Sequence, residues 1–176
     1  MPMYTPFEIQ DMLKGMTILI DTREQNTPAF RRRVKDMGCP VERAKLDYGD
    51  YSCKTVLPSG DVYSLADKVC IERKMNFDEL CQCYTKGRQR FQREFERAAA
   101  DGAKTILLVE NADWSKAFRE DYRSQLSGNA LIASMLAWSD RYNIHNYFCD
   151  PADSGKLIYK ILYYALKERL ERGDAA

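Results

Sequence analysis

The stretch "DKVCIERKMNFDEL", residues 67–80, changes its period halfway along. Val69, Cys70 and Ile71 enter as a buried strand, and the charged run Glu72-Arg73-Lys74 stands at its end. Asn76 then suits a helix N-cap, with Glu79 three residues on as in a capping box. Side chains alternate across a strand, so Glu72 and Lys74 share one face and Arg73 takes the other. A strand feeding a helix through a charged junction is a building unit of an α/β fold.

The same alternation extends outward. "MTILID" is a short apolar run ending in Asp21 and reads as a buried strand. "PAFRRRVKDMG" reads as a helix, with Pro28 in its first turn and Gly38 just past its end. "PVERAKL" alternates like a half-buried strand, and "DYSCKTVL" and "DVYSL" flank "PSG" as a hairpin. After Asn76 a long helical stretch reaches about Ala100. Leu80, Tyr84, Phe91, Phe95 and Ala98 form its stripe, and Gly87 offers a break. "TILLVE" is another buried strand, "LSGNALIASMLAWSDRYN" an apolar-rich helix and "IHNYFC" a final strand. Asp150-Pro151-x-Asp153 opens a last helix, with Pro151 expected at its first position, running to about Arg172 and stopping at Gly173. Strands alternating with helices, with one hairpin inserted, predict an α/β fold around a mixed central sheet.

With 176 residues the chain is expected to be one domain, 1–176, with residues 1–15 as an N-terminal extension. The segment 151–172 is a C-terminal helix apolar on more than one face, which packs in the core or meets a second subunit. Hydrophobic residues are 45% and charged residues 30%, a balance that supports a soluble domain with a real core. No run approaches the roughly 20 apolar residues needed to span a bilayer. The opening "MPMYTPFEIQDMLKGM" carries acids and no long apolar run, so no signal peptide is expected and the setting is intracellular. The six cysteines include no C-x-x-C pair, and His145 is the single histidine; this pattern points to reduced thiols rather than zinc or disulfides.

The net charge of +1 demands no polyanionic partner, but charge is locally uneven. Lys86, Arg88, Arg90 and Arg93 stand against the single acid Glu94. They can neutralise phosphates or form a solvated helix face. For Arg31, Arg32, Arg33 and Lys35, solvation is the expected reading.

Acids cluster at strand ends. Asp21 closes its strand, Asp50 follows Gly49 at the entrance of another, and Glu72 ends a third. Glu72 and Lys74 alone can be a simple ion pair. Three converging carboxylates can instead serve a hard cation such as Mg²⁺, which takes oxygen ligands from one or two carboxylates, waters and phosphate. A neighbouring lysine can position or deprotonate the attacking water. This is a chemistry for phosphodiester hydrolysis without histidine.

Gly49-Asp50, a spacer, then Glu72-Arg73-Lys74-x-x-x-Asp78 resembles the GDx(n)ERKx(3)D signature of the XPF/Hef structure-specific endonuclease family. Asp21-Thr22-Arg23-Glu24 is similar to that family's D-x-R-E segment, and Gly87-Arg88 with its Arg-rich helix resembles the segment downstream. The likeness covers roughly residues 16 to 150. It implies a restriction-endonuclease-like core, cleavage of branched, flapped or forked DNA with Mg²⁺ or Mn²⁺ in repair, recombination or replication, and a homodimer. By position, Asp50 and Glu72 would be metal ligands and Asp21 would support the metal or its waters. Lys74 would serve the nucleophilic water and developing phosphate charge, and Arg23 and Arg73 would order the acids or contact phosphate. Asp78 would support the site from behind, although an acid is also favourable in a first helical turn. Glu24 is open in the same way and can pair with an arginine. Members often add a helix-hairpin-helix module or a helicase domain, and these 176 residues hold neither. Substrate choice would then rest on the domain's own surface or on a protein partner. A catalytically silent DNA-binding or scaffolding subunit is the alternative, and a restriction-like or exonuclease-like substrate a third reading. The expected location is cytoplasmic in a bacterium or phage and nuclear in a eukaryote.

Overall fold

The computed structural model describes residues 4–175. In chain order the elements are α1 (Pro6–Lys14), β1 (Thr17–Asp21), α2 (Pro28–Met37), β2 (Val41–Ala44), β3 (Tyr51–Val56), β4 (Val62–Ser64), β5 (Val69–Lys74), α3 (Phe77–Tyr84), α4 (Arg88–Ala100), β6 (Lys104–Glu110), α5 (Trp114–Arg119), α6 (Gly128–Tyr142), β7 (Ile144–Cys149) and α7 (Ser154–Arg172). The strand order is β2-β1-β3-β5-β6-β7, with β4 paired to β3. β3 runs antiparallel to both β1 and β5, while β2 is parallel to β1, and β6 and β7 continue parallel from β5. The sheet is therefore mixed, as the alternation predicts.

Helices cover both faces. Ile106 and Leu108 of β6 join α1, α2 and α7 in one core, and Leu107 and Val109 join α3, α4, α5 and α6 in the other. This near-continuous apolar strand with opposite-facing neighbours is what a three-layer α/β/α arrangement requires.

Local chemistry explains the element ends. Thr27 caps α2 through Phe30 N–H, and Gly38 ends it at φ 64°. Asn76 caps α3 through Glu79 N–H, and the Glu79 carboxylate reaches back to Met75 N–H. The expected break at Gly87 is real, separating α3 from α4.

Several expectations need correction. α7 begins at Ser154, not at Pro151, which lies in the preceding turn; Asp153 is its N-cap. β2 is not half-buried: it is an edge strand with three exposed residues followed by one partly covered. The segment before β1 is no mere extension, because α1 carries a Thr5–Glu8 capping box and buries Ile9, Met12 and Leu13 in the core. The short helix α5 carried no clear periodic signal. Arg33 is not solvated: it is 5% exposed, whereas Arg31 and Arg32 are exposed.

Candidate active site

The strand directions bring the acids together. β1 and β5 both run antiparallel to β3. The C-terminal ends of β1 and β5 and the N-terminal end of β3 therefore meet at one edge of the sheet, where ligands of open α/β folds typically bind. Asp21 N–H donates to the Asp50 carbonyl at 2.9 Å, and Asp50 N–H donates to the Ile71 carbonyl at 2.8 Å. Gly49 makes this approach possible. It sits at φ 73°, and a Cβ there would lie 2.8 Å from Cys70 Cβ.

A cleft of about 590 Å³ opens at this edge, lined by Arg23, Glu24, Asp50, Glu72, Arg73 and Lys74 from the strand ends and by Lys86, Arg90, Phe91 and Glu94 from the helical side. Lys74 Nζ donates to Glu72 Oε1 at 2.6 Å and stands 5.2 Å over the Phe91 ring. Asp50 Oδ2 accepts from Arg73 N–H at 2.8 Å. Arg73 turns its guanidinium to the other face of the sheet, as alternation requires. There it makes a two-pronged bond to Glu110, Nε to Oε1 at 2.7 Å and Nη2 to Oε2 at 2.9 Å.

The electrostatics are tense. Burial pushes the Asp50 carboxyl well above the usual range, and the charges of Glu72 and Glu24 add to this. Burial likewise raises Glu72, against the pull of Lys74 and with the charge of Glu94 adding to the rise. For Lys74, burial alone would favour the neutral amine, but the Glu72 charge and hydrogen bond together with the nearby Cys83 and Asp50 outweigh it and hold the ammonium above the ordinary lysine range. Lys74 is thus a cationic donor in this state.

Asp21 sits beneath the cleft rather than on its wall. It is 1% exposed; its Oδ1 accepts from Arg23 N–H at 2.8 Å and Nε at 2.6 Å, and its Oδ2 accepts from Leu46 N–H at 2.8 Å. Burial raises its pKa, yet these Arg23 bonds and the Leu46 amide win and hold it below the usual value. Arg23 continues across the cleft mouth to Glu94 Oε1 at 3.2 Å.

Asp78 stands apart from this group. Its Oδ1 accepts from the backbone N–H groups of Arg123 and Ser124, each at 2.8 Å, so it ties α3 to the segment before α6. Asp78→Ala is expected to lower unfolding stability by about 1–2 kcal/mol through these orphaned amides. Any cleavage activity should stay within about threefold of wild type; paired thermal melts and cleavage rates check this.

Of the basic residues, Lys86 and Arg90 line the cleft and join Arg88 and Arg93 in an adjoining groove. Arg88 is occupied: it lies 5.0 Å over Trp138 and donates to the Tyr84 carbonyl at 3.2 Å. Lys86, Arg90 and Arg93 are exposed and enter no salt bridge among the described residues.

Sequence reasoning missed Glu94 as a cleft residue, along with Tyr51, Arg33 and Glu110 behind the site. Glu94 had a signal, since helical spacing puts it on the same face as Arg90 and Phe91. Arg33 had one as well, because its spacing from Phe30 and Met37 puts it on the inward face of its helix, but the partners of all three lie far away along the chain.

The profile of the ERCC4 domain matches residues 20–161. XPF from Aeropyrum pernix has a similar solved structure, with a TM-score of 0.60 at 21% identity, covering 85% of this chain and 61% of that one. The structure of XPF from Aeropyrum pernix in complex with DNA gives a TM-score of 0.61 at 22% identity, covering 88% and 66% respectively. The chain therefore spans a little under two thirds of those proteins. No curated protein sequence matches it. A profile match across most of the chain, on a fold shared with XPF and with the D-x-R-E, G-D and E-R-K segments meeting at one sheet edge, shows that the chain belongs to the ERCC4-domain family.

Proposed function

We propose that this chain is a metal-dependent endodeoxyribonuclease that hydrolyses phosphodiester bonds in branched, flapped or forked DNA, serving repair, recombination or replication. The observation that carries this reading is the meeting of Asp50, Glu72 and Lys74 at one end of the sheet, in a cleft that opens onto unpaired cations.

The donor set suits Mg²⁺ or Mn²⁺. Burial and the Glu72 charge raise the cost of ionising Asp50, burial and the Glu94 charge raise that of Glu72, and a hard cation relieves both. Among the described residues no three His, Cys, Asp or Glu side chains form a ready cage. That fits an ion that keeps several waters and takes only one or two carboxylates. Asp50 and Glu72 would hold it, with Asp21 bracing the turn that carries Arg23. When bound, the ion supplies Lewis acidity and lowers the pKa of a coordinated water. Lys74, kept as an ammonium, orients the nucleophile and meets negative charge developing on the phosphate. His145 lies on β7 beside Asn143 and does not line the cleft.

Lys86, Arg90 and Arg93 would bind the DNA backbone. The triple Ala variant should weaken DNA binding about tenfold or more near physiological salt and flatten the log–log salt slope by about one unit for each phosphate no longer neutralised. Fluorescence anisotropy across a salt series measures both.

The homodimer would form at the sheet edge beside α7, where Tyr147 and Tyr164 are 39% and 53% exposed and Ile161 lines a groove between them. Sedimentation should give a dimer, and Tyr164→Asp a monomer. A protein partner supplying DNA-structure preference is compatible with this arrangement.

The deciding experiment is a panel of forked, flapped and junction DNA incubated with Mg²⁺ or Mn²⁺, with Lys74→Ala as control. Cutting by wild type alone supports the assignment. Persistent DNA binding without any cutting overturns it.

A further inference from the structure

We propose that Arg33 is a positioning residue of the cleft, acting from behind the sheet through the carboxylates of Glu24 and Glu110. The inference rests on the nuclease reading above. α2 presents Arg31, Arg32 and Lys35 to solvent but drives Arg33 inward. Its Nη1 lies 3.3 Å from Tyr51 Oη and 3.9 Å from Glu24 Oε2, and its Nε lies 3.5 Å from Glu110 Oε1. No single carboxylate forks onto Arg33, and its Nε has no aligned acceptor. The guanidinium therefore bridges two acids rather than pairing with one.

Both acids lead to the site. Glu24 lines the same cleft as Asp50. From behind, Tyr51 Oη donates to Glu24 Oε2 at 2.6 Å. Glu110 grips the Arg73 guanidinium, and the Arg73 N–H holds Asp50. Arg33 thus joins the turn after β1, the end of β5 and the end of β6 in one charge-balanced network of two arginines and two glutamates.

The packing protects this network. A Cβ on Gly155 would lie 2.3 Å from the Arg33 carbonyl oxygen, so α7 seats directly on α2 at this point. Ser154, 1% exposed, is buried at the same point and donates to the Pro151 carbonyl at 3.3 Å. Apolar residues of similar volume would stabilise such a site about as well as buried ion pairs. What an apolar set lacks is fixed direction for Glu24 and Arg73, and outer partners of this kind typically change metal affinity or activity about 10–100-fold.

The test uses the full chain with Arg33→Met, Arg33→Lys and Tyr51→Phe, each alone and with Glu24→Gln. Three quantities are read: Mn²⁺ affinity by calorimetry without DNA, and kcat and KM on the substrate that wild type cuts best. Arg33→Met and Tyr51→Phe should each weaken Mn²⁺ binding or lower kcat about 10–100-fold. KM should stay within about threefold, and Arg33→Lys should fail to restore the loss because an ammonium cannot bridge as a guanidinium does. In the Glu24→Gln background Tyr51→Phe should add less than about threefold, while Arg33→Met should keep a loss through Glu110. Wild-type values for Tyr51→Phe, full function in Arg33→Lys, or Tyr51→Phe losses that multiply with Glu24→Gln would overturn the proposal. Tyr51→Phe removes one oxygen only and keeps the test decisive if Arg33→Met does not fold. A wild type that binds Mn²⁺ but cuts nothing sinks the nuclease reading, while the affinity series still judges Arg33.

Discussion

Asp50→Asn is expected to abolish cleavage while making the metal-free protein harder to melt. The Asp50 carboxyl faces the charges of Glu72 and Glu24 in a buried setting, and its pKa stands well above the usual value. A carboxyl raised on folding is more easily ionised in the unfolded chain, so ionisation costs the native state. That cost is absent below the unfolded value near pH 4 and grows as pH climbs towards the folded value. Asparagine keeps an acceptor for Arg73 N–H and removes the charge. At pH 7 the variant should gain about 1–2 kcal/mol, the usual size of a repaired functional strain. For a chain of this length, each kcal/mol moves Tm by about 2–4 °C. At pH 3.5 the gain should shrink. Saturating Mg²⁺ should reverse the order, because a ligand at 100 times its Kd stabilises wild type by about 2.7 kcal/mol and the variant has lost a ligand. The rate should fall by about 10³-fold or more. An Asp50→Asn protein that melts below wild type in metal-free buffer at pH 7 would contradict the repulsion on which the metal assignment leans.

The sheet edge was largely legible in the sequence because its logic is local. Strand alternation alone separates Glu72 and Lys74 from Arg73, and the structure follows it to the hydrogen bond. Gly49 announces a close approach, and the approach is to Cys70 on the neighbouring strand. Asn76 announces α3 through its cap. What the sequence withheld is tertiary. In "PAFRRRVKDM" the spacing of Phe30, Arg33 and Met37 puts Arg33 on the inward face, but its acidic partner is not legible until Glu110, 77 positions on, is placed beside it by the fold. Asp78 shows the converse case. Its spacing matches a motif, yet its acceptors serve two amides in the segment before α6. The N-terminal helix was readable from Thr5, Pro6, Glu8 and the Ile9–Met12–Leu13 spacing, but a leading segment before a strong strand invites neglect.

Lys74→Met should be as inactive as Asp50→Asn but opposite in stability, and that contrast separates the two charges. The Lys74 and Glu72 side chains are 12% and 7% exposed and joined at 2.6 Å. Removing one member of a buried pair leaves the other uncompensated, at a cost of about 3–5 kcal/mol, whereas replacing both by neutral groups of similar size is often neutral or stabilising. Lys74→Met should therefore unfold at markedly lower urea, and Glu72→Gln/Lys74→Met should recover most of the loss without recovering cleavage. The deficit of the single variant should lessen as pH falls, because the stranded Glu72 then takes a proton. It should also lessen with Mg²⁺, because a cation replaces the missing charge. If the double variant is as unstable as Lys74→Met alone, the pair is held by packing against Phe91 rather than by charge, and Lys74 would need another reason for lying beside Glu72 in the cleft.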